Sequence, residues 1–330
     1  MAEILNGRRL PLLLRASGAL GIACAGGAIH AQIYPDKPVR VIVAYAAGGN
    51  ADILARIISQ KLAEALGQQF VVDNRGGANG VIGTELVAKA APDGYTLLFV
   101  ASGHAINPGL YAKLPFDPIR DFAPISLVGS TPQIITVTAA LPATTIKSLV
   151  ALAKSRPGAL SYASQGNGSP GHLAGALFNS LNGVNIVHVP YKSTAQGTTD
   201  LISGQVQVMF PSATSVLPHI RSGKLRGIAI TSRQRSTLAP ELPTAIQSGM
   251  PGYESGIWNG VLAPAGTPLA IVDRLNGALA KIIQTSDTRE RILGTGADPM
   301  TSTPAEFGAF ISAEIRKWGK VIKDSGAKLD

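Results

Sequence analysis

Cysteine is almost absent from this chain: Cys24 is the only one in 330 residues, which excludes an internal disulfide and any multi-cysteine zinc or iron–sulfur site. Aromatic residues make up 5% and charged residues 15% of the chain. No basic run with interleaved aromatics occurs, and adjacent basic residues are confined to Arg8-Arg9 and Arg316-Lys317. The net charge of +9 is therefore dispersed, which argues against nucleic acid as a partner and leaves small anions in play. Beyond residue 31 no apolar run approaches membrane length. Histidines are sparse, and His104, His172, His188 and His219 form no i, i+4 pair, so no zinc signature is present. What is abundant is ordinary globular material, with 45% apolar residues, 37 Gly and 22 Pro. At this length a single core stops growing, so two lobes are the expectation.

Residues 1–31 read as a secretory signal: Arg8 and Arg9 precede an apolar stretch from Leu10 to Ala28, interrupted at Arg15, and Ala31 places a small residue before Gln32. Pro11 and Arg15 make the same stretch a poor membrane span. Cys24 offers a lipoprotein alternative, although Gly21-Ile22-Ala23 lacks the Leu-like residue expected at its start.

Downstream, strands alternate with helices. Val39–Ala44 is a short β-branched run, followed by Gly48-Gly49 and by Ile53, Leu54, Ile57, Ile58, Leu62 and Leu66 at helical spacing up to Gly67. The unit repeats as strand Phe70–Val72, helix Val81–Ala90 and strand Thr96–Val100. After a connection carrying Pro108, Pro115, Pro118 and Pro124, a second series starts at Ile134–Val137, and Arg226–Thr231 reads as the strand that returns to the first lobe. The pattern predicts lobe 1 from residues 32–132 and 230–330 and lobe 2 from residues 133–229, each a mostly parallel sheet flanked by helices. Two crossings imply a hinge and modest contact between the lobes without ligand.

In such sheets ligands sit beyond the carboxyl ends of the strands, where helix amino termini favour anions. Four turns are candidates. The first, Tyr45 to Asp52, brings Ala47, Gly48, Gly49 and a capping Asn50. Asp52 there is a scaffold residue or a partner for a ligand ammonium. The second, Ala101 to Pro108, brings Ser102 and His104. His104 reads as a base or metal ligand, or as a histidine that bonds backbone groups. The third, Gly166-Asn167-Gly168-Ser169-Pro170-Gly171, follows a strand ending near Ser164 and matches a dinucleotide fingerprint, but the following strand runs into Pro190-Tyr191-Lys192 without the acid a ribose needs. Asn167 also stands where a nucleophile elbow requires glycine. A carboxylate held by the Gly168 and Ser169 N–H groups and the Ser169 hydroxyl fits the same turn. The fourth supplies Tyr191, Lys192 and Ser193, with Tyr191 opposite Tyr45 as a second wall for a ligand body.

The ordered series Tyr34-Pro-Asp-Lys-Pro-Val-Arg40, Gly48-Gly-Asn-Ala-Asp52, Asn74-Arg-Gly-Gly77, Ala91-Pro-Asp-Gly-Tyr95, Asn107-Pro-Gly-Leu-Tyr111, His188-Val-Pro-Tyr-Lys192 and Leu217-Pro-His-Ile-Arg-Ser-Gly-Lys-Leu-Arg226 resembles the Bug family, the receptors of tripartite tricarboxylate transporters. The resemblance extends through Leu262-Ala-Pro-Ala-Gly-Thr-Pro268 to the helix with Trp318. It implies a two-lobed periplasmic-binding-protein fold of the Venus-flytrap, type II-like kind, no catalysis, no cofactor and no metal. The implied partners are a small organic acid (a dicarboxylate, tricarboxylate, aromatic acid or acidic amino acid) and the membrane components of a transporter, with the receptor a periplasmic monomer that binds no nucleic acid. The implied pocket positions are Ala47 to Asn50, Ser102 to His104, Ser164 to Ser169 and Tyr191 to Ser193. Ser193 stands where Gly is frequent, and Pro211 where many members carry Asp, which removes one partner for an ammonium and favours a plain carboxylic acid. A secreted oxidoreductase or hydrolase using the Gly166–Gly171 turn, and a ligand-sensing partner of a membrane sensor, are the alternatives.

Export with cleavage after Ala31 is expected, so the intact mass of secreted protein should correspond to a chain beginning at Gln32. A lipid-bearing mass on Cys24 would replace this site with the lipoprotein one.

Overall fold

The computed structural model describes residues 34–328; the signal segment, Cys24 and the Ala31 cleavage site lie outside the described residues. Two sheets carry the fold. The first has six strands in the order β11-β4-β10-β3-β1-β2, and the second five in the order β7-β6-β8-β5-β9. The strands of the first are β1 (Val39–Val43), β2 (Phe70–Asn74), β3 (Thr96–Ala101), β4 (Phe122–Pro132), β10 (Gly256–Pro264) and β11 (Asp298–Pro299). Those of the second are β5 (Ile134–Thr138), β6 (Ser161–Ser164), β7 (Val187–Pro190), β8 (Val208–Met209) and β9 (Leu225–Ile230).

Helices cover these sheets because their apolar positions recur at helical spacing. Helix α1 (Asn50–Leu66) buries Leu54, Ile57, Ile58 and Leu62 against the first sheet and stops where Gly67 turns left-handed at φ 76° and returns its N–H to the Ala63 carbonyl. Helices α2 (Val81–Ala88), α3 (Gly103–Leu110), α8 (Leu269–Gln284) and α9 (Ser286–Gly294) belong with the same chain segments, and α4 (Ile146–Ser155), α5 (Pro170–Asn182), α6 (Thr194–Ser203) and α7 (Ala213–Arg221) with the second sheet. The last helix, α10 (Pro304–Ser325), packs on α3, β4 and α5. Its Thr303 and Glu306 form a reciprocal capping box.

Both sheets are mixed, where mostly parallel ones are expected from the alternating pattern. β1 pairs in parallel with β2 and β3, but β10 is antiparallel to β3 and β4, and β5 is antiparallel to β8 and β9. The reversed strands are β10 and β11 in the first sheet and β5 in the second, whereas β4, which pairs with β10 and keeps the direction of β1–β3, lies in the proline-bearing connection. Its Pro124 sits opposite Leu262 next to an irregularity in the register, which is how a strand admits a residue without an N–H.

The chain passes from the first sheet to the second at Gln133, between β4 and β5, and leaves the second after Ile230. These crossings are tied to each other. The Thr231 N–H donates to the Gln133 carbonyl at 2.9 Å, the Gln133 N–H donates to Thr231 Oγ1 at 3.0 Å, and that hydroxyl has the Gln133 and Ser255 carbonyls at 3.0 and 2.7 Å. Contact between the sheets' surroundings is more extensive than expected: one apolar cluster joins Ile42, Leu98 and Leu127 to Ile135, Tyr162 and Phe178, with Trp258, Phe307 and Trp318. The α10 helix, packed on elements of both halves, explains the continuity.

Thr231 is fully buried, so Thr231→Val should lower unfolding free energy by about 1–3 kcal/mol, because the Gln133 N–H is left without an acceptor. Urea unfolding checks this, and a change within error would show that the crossings are not held by this hydroxyl.

Candidate functional site

A cavity of about 360 Å³ lies at the carboxyl ends of β3 and β6, lined by Tyr45, Asn79, Ala101, Ser102, Gly103, Ile106, Asn167, Gly168, Ser169, Pro170 and Ile257. Its wall is built from the first turns of two helices. Ser102 and Gly103 begin α3, and Ser169 and Pro170 begin α5. Helix amino ends carry unpaired N–H groups and partial positive charge, so two of them facing one space favour an anion there. None of the lining side chains is an acid, a lysine, an arginine or a histidine.

Of the residues expected from sequence, Tyr45, Ser102, Gly168 and Ser169 are brought together in this wall. Burial pushes the Tyr45 phenol up to about 12, with a backbone contact from Ala101 pulling the other way. It therefore stays protonated and can donate. Its hydroxyl lies close over α3: a Cβ added at Gly103 would come within 2.9 Å of the Tyr45 hydroxyl and 3.2 Å of the Asn79 carbonyl oxygen, so a larger residue there would displace the Tyr45 hydroxyl. Ser102 is buried and makes no capping bond with its side chain, whereas Ser169 caps α5 by accepting the His172 N–H at 3.3 Å.

Gly168 lines the cavity but its N–H points elsewhere, donating to His172 Nδ1 at 3.0 Å. The Ser169 N–H reaches the Gly166 carbonyl at 3.3 Å. These two amides, expected as direct anion donors, thus serve the internal geometry of the turn. Ser164 lies beneath it, with its hydroxyl 2.6 Å from His188 Nε2 and donating to the Gly166 carbonyl at 3.0 Å.

His104 does not reach the cavity wall. Its ring stands against Phe122, with centroids 5.2 Å apart, and parallel to Phe116 at 6.3 Å, and Nε2–H donates to the Pro118 carbonyl at 2.8 Å. Burial lowers its pKa to about 4, so at neutral pH it is a neutral core histidine that bonds backbone, and neither a base nor a cation for the ligand. The Ala47-Gly48-Gly49 turn is exposed and lies outside the wall. Asn50 donates to Thr131 Oγ1 at 3.0 Å, and Asp52 accepts from the Gly48 N–H, Arg56 and Asn74. Burial opposes ionisation of Asp52, but these donors outweigh it and hold the carboxyl below its ordinary range, which makes it a scaffold residue with its charge already matched. Tyr191 donates to Asp200 at 2.8 Å, Lys192 is exposed, and Ser193 caps α6. All three lie outside the cavity lining, so the structure does not bring Tyr191 to the wall that Tyr45 forms.

Asn79, Ile106 and Ile257 line the cavity without having been expected there. Ala78 and Asn79 adopt φ of 46° and 53°, a left-handed conformation uncommon without glycine. The turn is held by Asn107, which accepts from Asn79 Nδ2 at 2.7 Å and donates to its carbonyl at 3.0 Å, and by Tyr111, whose hydroxyl donates to the Ala78 carbonyl at 3.0 Å. The Asn79-Gly80 pair is a turn signal that points to this conformation. Among the described residues no group of His, Cys, Asp or Glu is placed to hold a metal ion, and no helix is long and apolar enough to cross a membrane.

A cavity between two mixed sheets, walled by helix amino ends, is an arrangement suited to a small anionic solute. The model of the tripartite tricarboxylate transporter family receptor matches residues 54–327, and the chain belongs to that family of periplasmic solute-binding proteins. Protein BugT of Bordetella pertussis is 38% identical over 93% of this chain and 96% of its own. Among solved structures, Rpa4515 of R. palustris with adipate is 36% identical with a TM-score of 0.71, over 90% of this chain and 100% of that one. MatC of Rhodopseudomonas palustris with bound malate is 32% identical with a TM-score of 0.67, over 88% and 100%.

The two serines should separate in stability. Ser169→Ala removes a cap and should cost about 1 kcal/mol, whereas Ser102→Ala, which breaks no cap, should stay within about 0.5 kcal/mol of the parent. Urea unfolding of both variants checks this, and equal losses would mean that Ser102 also holds its helix.

Proposed function

We propose that this protein is an extracytoplasmic receptor that captures a small dicarboxylate in the cavity between the α3 and α5 amino ends. It returns the solute unchanged to the membrane components of a tripartite tricarboxylate-type transporter. The observation that carries the reading is the wall itself: two helix amino ends with the Tyr45, Ser102 and Ser169 hydroxyls and the Asn79 amide, beside the apolar surfaces of Ile106, Pro170 and Ile257. Neutral donors satisfy carboxylate oxygens, and the apolar surfaces suit the short carbon chain between them.

The adipate of Rpa4515 and the malate of MatC support dicarboxylates as the class. No carboxylate of the wall is present to pair with a ligand ammonium, and Asp52 already answers to Arg56, so acidic amino acids are disfavoured. The lining also lacks an acid–base pair or an activated nucleophile, which supports capture over catalysis.

Thermal-shift screening with malate, adipate, citrate, aromatic acids and acidic amino acids, each beside its amide at matched ionic strength, tests the class. A ligand at a hundredfold excess over its dissociation constant stabilises the native state by about 2.7 kcal/mol, enough to raise Tm by several degrees. A dicarboxylate should do so and its diamide should not. Equal shifts from acid and amide would contradict carboxylate anchoring, and chemical conversion of the bound acid would contradict the receptor reading.

A further inference from the structure

The basic charge, dispersed along the sequence, is gathered in space. The second sheet and helices α4–α7 all come from residues 133–229, where Asp200 is the one acid against seven lysines and arginines. β6, β7 and β8 run in parallel and β5 runs against β8 and β9, so β6–β8 begin where β5 finishes and β9 begins. This end lies opposite the carboxyl end of β6, which faces the cavity. Lys224 directly precedes β9, Arg221 ends α7, and Lys147, Lys154 and Arg156 belong to α4 and its cap, which join β5 to β6. All five are exposed. Arg226, half-buried, braces the same end by donating to the Leu141 and Ala139 carbonyls at 2.8 and 3.0 Å. Among the described residues none of these six has a carboxylate in ion-pair contact, although Glu241 belongs to the segment that passes Arg221. In the rest of the chain many bases stand beside acids, as Arg40 does with Asp73, Lys89 with Glu85 and Arg120 with Asp117. Two exposed aliphatic side chains share the basic end, Leu181 in the last turn of α5 and Val187 at the start of β7. The chain between them is bonded to the turn after α4, since the Asn185 carbonyl accepts the Gly158 N–H at 3.0 Å.

We propose that this end of the second sheet is a docking surface for an anionic lipid bilayer, which holds the protein at the membrane with the cavity end free. Like charges without counter-charges repel, and their field reaches about 8 Å at physiological salt, so the patch gains when a plane of anions replaces the water in front of it. Anionic headgroups form such a plane, attract each lysine or arginine near it, and let aliphatic side chains sit at the acyl boundary. The composition favours lipid over an acidic protein. Specific protein interfaces rest on aromatic anchors and are poor in lysine. Here three of the exposed bases are lysines, Tyr162, Phe178 and Phe210 are buried, and Tyr191 follows the opposite end of β7. The surface is separate from the cavity lining, so the proposal does not depend on which solute is bound.

Vesicle co-sedimentation of the exported protein supplies the test, with phosphatidylcholine containing phosphatidylglycerol as one surface and phosphatidylcholine alone as the other. The protein should sediment with the first, dissociate as salt rises, and leave the second alone. Lys147→Gln/Lys154→Gln/Lys224→Gln removes three exposed lysines that make no ion pair, so the fold should stand, and partitioning should fall by about tenfold or more. Lys113→Gln/Lys281→Gln/Lys323→Gln subtracts the same charge from exposed positions outside residues 133–229 and should change partitioning by less than about threefold. Leu181→Gln should weaken it by about twofold to threefold. Equal losses in the two triple variants would show that net charge alone acts and would overturn the patch, as would equal binding to both kinds of vesicle. Absence of binding to either vesicle would also overturn it, and salt-sensitive retention of the parent on polyglutamate would then assign the patch to an acidic protein. Adipate binding in calorimetry should be the same in the parent and all these variants. Its absence from the parent would count against the receptor reading and leave the vesicle result standing.

Discussion

Two helix amino ends that face one uncharged cavity are the constraint on which the rest of this structure depends. Bringing the first residues of α3 and α5 to one cavity requires that β3 and β6 end at the same space from different sheets, and hence that the chain cross between the sheets near that space. The crossing at Gln133 and the return at Thr231 do this, and a buried hydroxyl ties one to the other. In the proposed site the partial positive charge at the helix ends takes the place of a lysine or arginine, without the cost of burying a mobile cation when the site is empty.

A wall of this kind also explains what surrounds it. The donors must be fixed in place, because neutral donors are effective only when oriented, and each turn near the cavity is held from behind. The left-handed Ala78-Asn79 turn is held by Asn107 and Tyr111, and the Gly166–Ser169 turn by Ser164 and His172. The buried charges nearby are matched internally, Asp52 by Arg56, Asn74 and the Gly48 amide, so they add no field of their own to the site. Membership of the tripartite tricarboxylate transporter receptor family agrees with a scaffold whose chemistry is capture.

Much of this was legible in the residues. The alternation of β-branched runs with helical spacing located the parallel strands and most helices, and the ordered motifs pointed to the family. Glycine turns after strands drew attention to Ser102 and Ser169. What escaped was tertiary in origin. β4 hides in a proline-bearing segment that becomes a strand only because β10 pairs with it around Pro124. The helical character of residues 103–110 is masked by Pro108, and with it the second helix amino end. Ile257 belongs to the part of β10 that precedes its most apolar run. Packing likewise sets the surroundings of His104, beside Phe116 and Phe122 with its ring on a backbone carbonyl, and the Tyr191–Asp200 hydrogen bond, neither of which residue type alone reveals.

The most direct measurement is a crystal structure of the protein with the acid that it retains through native purification. A carboxylate should lie between the first turns of α3 and α5, within hydrogen-bond distance of the Ser102 or Ser169 hydroxyl, with no lysine or arginine in contact. A carboxylate bound instead at the exposed Gly48-Gly49 turn or on Lys192, with the cavity between α3 and α5 left to solvent, would contradict the account.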